Sequence, residues 1–276
     1  MRVLTWNIGR WSAATILGLA LLSSIANRVG LVRANGILAA ACAVELFRGQ
    51  DILDDVLRRH RAAFIAEAAQ ANLPPELLAA IVADHHEALT PVRRFTDCAG
   101  SALGGDLSLG PAQVRISTAA RIDRASYDSL STRTFHRYRS SLLEPNENIR
   151  YQAKELRLLL DRYVEGATLD ADDLVRNPAT MARLITEYRV GRVPTPYDPH
   201  VRRSSAVSTL RFMHATTVEF FERPLPEVVE IRKEIENHLT YLNCETRNST
   251  PATCQEWRTA LADSERRRVN EGASGR

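Results

Sequence analysis

Leu73–Asp84 reads LPPELLAAIVAD, and its spacing decides the fold class. Pro75 suits the first turn of a helix, where its missing N–H costs nothing and its φ is already helical. Leu77, Leu78, Ile81 and Val82 then recur one turn apart, as an apolar helix face does. The same period extends to either side. DILDDVLRRHRAAFIAEAAQ (51–70) sets Leu53, Val56, Leu57, Phe64, Ile65 and Ala68 near one stripe. Asn146 is placed to cap a helix through NIRYQAKELRLLLDRYVEG that Gly166 ends. Asn177–Pro178 opens ATMARLITEYRVG, stopped by Gly191, and two more helices are expected over 199–221 and 226–242. Thr90 to Leu109, with Gly100 and Gly104–Gly105, reads as a loop. No alternating β-branched run is long enough to compete, so the expected class is all-α, with a disordered polar tail, SERRRVNEGASGR.

The chain has 276 residues, 45% of them hydrophobic, which suffices for one fairly large domain with appendages. Its net charge is +3, and the first fifty residues hold five Arg against one acidic residue. The remainder is therefore about neutral, which argues against nucleic acid as the partner. Lys occurs only at positions 154 and 233, a bias read as an Arg-favouring composition rather than a special use of Arg.

Arg2 and Arg10 precede WSAATILGLALLSSIA, an uncharged apolar run ended by Asn27 and Arg28. This pattern predicts a signal peptide or membrane anchor in region 1–49, with Ser24 and Ala26 forming a cleavage site, and hence an exported, cell-envelope protein. The run is short for a spanning helix, which needs about 20 apolar residues. The alternative is a pair of short helices on the domain or the membrane surface. A second run, GILAAACAVELF, sets Ala-Ala-Ala before Cys42 like a lipoprotein acylation site, but its leucine is one position early. Cys244 and Cys254 bracket the polar loop ETRNSTPAT, and a disulfide there contributes roughly 3 kcal/mol by loop closure. Cys98 has no evident partner and is read as a small buried residue. Neither C-x-x-C nor H-E-x-x-H occurs, so no metal or cofactor is expected.

DLSLGPAQVRISTA (106–119) raises a separate question. Gly110 supplies a tight backbone, and Pro111, Ala112, Val114 and Ile116 can begin a short helix. Gln113 is the polar group that local structure leaves unexplained.

PPELLAAIVADHH, then SLGPAQVRISTA, then TEYRVGRVPTPYDPHV resemble, in order and spacing, the motifs of lysozyme-like lytic transglycosylases of the goose-lysozyme and soluble-transglycosylase type. The resemblance covers roughly residues 60 to 215. It implies a lysozyme-like helical domain over 50–222, followed over 223–276 by a C-terminal helix, the disulfide loop and the tail. It also implies an enzyme that cleaves the MurNAc–GlcNAc bond of peptidoglycan glycan strands with one acid/base carboxylate and no cofactor. Gly110 and Gln113 match the family's Gly-x-x-Gln turn, and Tyr188, Gly191 and Tyr197 match its third motif. By that resemblance Ser108, Gln113, Tyr188 and Tyr197 line the glycan groove, where the Gln113 amide can donate to and accept from sugar groups.

The chain departs from the family at the acid. The glutamate should stand about ten residues after the helix-starting proline, and from Pro75 that position is His85. Glu87 follows two residues later, a rotation of roughly 200° on a continuing helix. It reaches the groove only if the helix stops at Asp84 or His85, and Thr90–Pro91 disfavours a continued helix. Glu87 is the expected acid, with Asp84 and His85 as alternatives. A glycosidase acid needs a carboxyl whose pKa is raised by apolar surroundings, whereas burial lowers the pKa of a histidine. Three classes follow: a peptidoglycan-cleaving enzyme, a glycan-binding protein of the same fold that lost its acid, and a membrane-associated helical scaffold.

Overall fold

The computed structural model describes residues 42, 52–162, 169–190, 199–219, 225–245, 252, 254, 255 and 259. The apolar run 11–26, Tyr197, the helix-ending Gly166 and Gly191, and the tail 264–276 lie outside the described residues. Eleven helices and two short strands make the described chain all-α. In order they are α1 (Ile52–Arg59), α2 (Arg61–Ala71), α3 (Pro75–Ala88), α4 (Pro91–Ala102), β1 (Ser108–Leu109), β2 (Val114–Arg115), α5 (Ile116–Ile122), α6 (Thr132–Leu143), α7 (Pro145–Asp161), α8 (Ala171–Val175), α9 (Pro178–Val190), α10 (Pro199–Glu219) and α11 (Leu225–Glu245). None of the helices among the described residues is long and apolar enough to cross a membrane.

The chain divides into two compact units, one of Met1–Gly49 with Leu89–Ser108, the other of Gln50–Ala88 with Leu109–Arg276. The larger unit is built on α3. Every residue from Pro75 to Asp84 is buried, so this helix is a core element and not an amphipathic surface one. Its alanines, Ala79, Ala80 and Ala83, let neighbouring helices approach closely on the faces that the leucines leave. α10 packs along α3, and α9 and α11 pack against α10. α2 packs against both α3 and α7. Replacing Leu77 or Ile81, both wholly buried, by Ala costs about 2–5 kcal/mol.

Within the smaller unit the segment expected to be a loop contains α4. Thr90 caps it, its side chain accepting from Arg93 N at 3.2 Å, and Pro91 occupies the first turn. Thr90–Pro91 is thus a helix start, not only a stop. Gly100 lies within this helix, and a Cβ there would come 2.4 Å from Leu107 Cδ1, so the close approach of Leu107 requires glycine. Cys98 is not free: it is bonded to Cys42, 56 residues away, which removes Cys42 as a thiol for acylation. Closing so long a loop contributes about 4 kcal/mol by chain entropy. In the larger unit Cys244 is bonded to Cys254.

Two helix starts differ from the sequence reading. α7 begins at Pro145 and is capped by Glu144, whose carboxylate accepts from Glu147 N at 2.7 Å. Asn146 instead accepts from His60 Nδ1 at 2.7 Å. Pro111 does not open a helix; residues 110–113 form a turn between β1 and β2, and α5 starts only at Ile116.

Candidate functional site

The turn from Leu109 to Gln113 is held from inside by Asn148 of α7. That wholly buried amide donates to Leu109 O (2.8 Å) and Leu142 O (3.0 Å) and accepts from Ala112 N (2.7 Å). Gly110 has φ +68°, and a Cβ there would meet Leu142 O at 2.3 Å and Asn148 Cγ at 2.5 Å. The position therefore needs glycine twice, for its left-handed backbone and for the close approach of the clamp. Gln113 is also left-handed, at φ +56°. For a residue with a side chain that conformation costs about 1–2 kcal/mol. Both its backbone N (3.2 Å) and its Nε2 (2.8 Å) donate to Gly110 O. The lone glutamine thus closes its own turn, and its Oε1 has no partner among the described residues.

Two side chains from distant helices meet this turn at Ala112. The Tyr188 hydroxyl of α9 donates to Ala112 O at 2.8 Å, and the half-buried Tyr188 ring stacks on His85 with centroids 5.9 Å apart and planes 27° apart. His85 also bonds to the Ala112 carbonyl, while its Nδ1 is buried without a partner among the described residues. A carbonyl with two lone pairs can serve both donors. Burial first, and the Arg189 cation second, lower the His85 pKa to about 4 against the opposing pull of Asp84 and the Ala112 carbonyl. The ring is therefore neutral at pH 7 and carries no acidic proton to donate. Burial pushes the Tyr188 phenol well above 10, with the charge of Glu155 adding to it.

Three carboxylates of the larger unit differ sharply. Asp84 is 3% exposed, and its oxygens are taken by Arg189 Nη1 (2.7 Å), Ser208 Oγ (2.6 Å) and Thr209 Oγ1 (2.7 Å). It pins α3 to α9 and α10 as a fully satisfied anion. Glu87 lies within α3, which continues to Ala88, so it is exposed and turned about 200° around the helix from His85. Glu155 of α7 went unnoticed in the sequence. Its side chain is 15% exposed, and Oε1 accepts from Arg121 Nη2 at 2.8 Å. Burial raises its pKa, outweighing the lowering by Arg121, Arg162 and Arg115.

Of the residues singled out in the sequence, His85, Gln113 and Tyr188 come together, Asp84 stands one residue from them, and Glu87 points elsewhere. Ser108 sits at the start of β1. Asn148 and Glu155 were missed, although a signal existed. Asn148, Gln152 and Glu155 are polar positions at helical spacing within a helix whose Ile149, Ala153, Leu156 and Leu160 are buried. Among the described residues no group of three His, Cys, Asp or Glu side chains gathers as a metal would require. Comparison with protein-family models, with curated proteins and with solved structures gives no match for this chain.

Proposed function

We propose that the chain has a lysozyme-like fold and acts in the cell envelope on peptidoglycan glycan strands, cleaving the MurNAc–GlcNAc bond as a muramidase or lytic transglycosylase. One observation carries the reading: the three segments that resemble the transglycosylase motifs, far apart in sequence, converge on a single carbonyl. His85 from the first, Ala112 beside Gln113 in the second and Tyr188 from the third share that centre. A strained, clamped turn next to two aromatic rings suits a wall for sugar rings, since strain persists where surrounding structure fixes it for use. Gln113, Tyr188, Ser108 and Tyr197 are the proposed glycan contacts. The two disulfides support an oxidising compartment and so export, with the N-terminal region as leader or membrane attachment.

The test is product analysis after incubating the full-length protein with purified peptidoglycan. Soluble fragments ending in reducing or anhydro-muramyl sugars are expected, and their complete absence rejects cleavage. A second reading, glycan binding without cleavage, is favoured by one observation, the neutral imidazole where the family carries its acid. Cosedimentation with insoluble peptidoglycan in the absence of released fragments selects it.

A further inference from the structure

Any cleaving reading needs a proton donor, and the structure narrows the choice. Asp84 has both oxygens committed to Arg189, Ser208 and Thr209. Glu87 stands on the far side of a continuous helix. Glu187 pairs along its own helix with Arg183 at 3.5 Å. Glu155 is different. It lies on α7 seven residues after Asn148, two turns along the face that clamps the Gln113 turn. One oxygen is held by Arg121, and Oε2 has no hydrogen bond among the described residues. Its charge adds to burial in raising the pKa of Tyr188, the residue that joins His85 to Ala112.

We propose that Glu155 is the acid–base carboxylate of this glycan site, replacing from α7 the carboxylate that α3 lacks at His85. This rests on the cleaving reading above. In its neutral form Glu155 gives its proton to the glycosidic oxygen as the C1–O bond breaks, and the departing sugar leaves as an alcohol. The resulting carboxylate takes a proton from the attacking hydroxyl, whose oxygen bonds to C1, and Glu155 ends protonated as it began. That hydroxyl is water or the C6 hydroxyl of the same muramyl residue, giving a reducing or an anhydro end respectively. Arg121 holds the carboxylate between the two transfers and acts as a positioning residue. Burial raises the proton affinity of Glu155, which is the direction a general acid requires.

The experiment compares wild type, Glu155→Gln, Glu87→Gln and Arg121→Leu in the full chain, reading released muropeptides, cosedimentation with peptidoglycan, thermal unfolding and the pH–rate profile. Glu155→Gln is expected to lose about 100-fold or more in cleavage while folding and cosedimenting like wild type. Arg121→Leu removes a cation that lowers the Glu155 pKa, so the alkaline limb of the profile should move to higher pH. A merely structural ion pair would not move it. Wild-type cleavage by Glu155→Gln, loss confined to Glu87→Gln, or an unmoved limb in Arg121→Leu each overturns the assignment and leaves the cleaving function standing. If Glu155→Gln does not fold, the Arg121→Leu profile decides alone. Wild type that cosediments but releases nothing overturns both the assignment and cleavage, and wild type that does neither overturns the glycan site itself.

Discussion

Asp84 and Glu155 are carboxylates of the same structural unit, held in opposite ways. Asp84 is buried with a guanidinium and two hydroxyls spending its lone pairs, whereas Glu155 keeps one ion pair with an Arg121 that is itself 48% exposed. The first arrangement fixes a charge by surrounding it, so nothing is left over for a ligand. The second desolvates a carboxyl without fully compensating it, and its proton affinity rises as a result. Burial with incomplete satisfaction, as at Glu155, is the environment that raises a carboxyl's proton affinity.

The sharpest way to break this contrast is at Asp84. Asp84→Asn leaves Arg189, only 20% exposed, without its anion and disturbs the hydroxyls of Ser208 and Thr209. We expect a loss of about 3–5 kcal/mol in urea unfolding. Adding Arg189→Met should recover much of it, since removing both charges avoids the stranded cation. A loss near zero for Asp84→Asn would mean that the pin contributes no net stability.

His238 is a third case, a buried group that remains neutral instead of finding a counter-charge. It is 2% exposed, Nε2 bonds to Val175 O at 2.5 Å, and burial lowers its pKa from 6.5 to about 4. Between those values the unfolded chain binds a proton that the native chain does not. Stability is accordingly complete above about pH 6.5 and lost as pH falls toward 4, by on the order of 3 kcal/mol. His238→Gln, which can still donate to Val175 O, should lose less stability than wild type between pH 7 and pH 4.5 in parallel urea titrations. An equal loss in both would assign the acid sensitivity to other groups, His85 first, because its depressed pKa has the same sign.

What the sequence disclosed follows the same division between local and distant partners. α3 and α9 were legible because apolar spacing and an opening proline are local signals. α4 was not, because Thr90–Pro91 and Gly100 read as breakers until the cap on Arg93 N and the packing of Leu107 are seen. The strands beside the Gln113 turn are two residues each, too short for any alternation to announce them. Cys98 pairs across 56 residues, Asn148 reaches Ala112 across 36 and Glu155 meets Arg121 across 34. Gln113 itself was legible as an unusual residue, but not as the one closing its own left-handed turn.

The smallest expected effect is the most discriminating for Glu155. Its pair with a half-exposed Arg121 contributes no more than about 1 kcal/mol. Its raised folded pKa works in the other direction: between the unfolded value near 4.5 and the folded one, the native chain binds the extra proton, so wild-type stability falls as pH rises through that window. Glu155→Gln carries no such penalty at neutral pH and loses only the weak ion pair. We therefore expect its unfolding free energy at pH 7 to stay within about 1 kcal/mol of wild type, with the balance shifting toward wild type as pH is lowered to 4.5. Parallel urea titrations at the two pH values measure both terms. A loss at pH 7 as large as that of Asp84→Asn would show that Glu155 is a second structural pin, and the contrast between the two carboxylates would disappear.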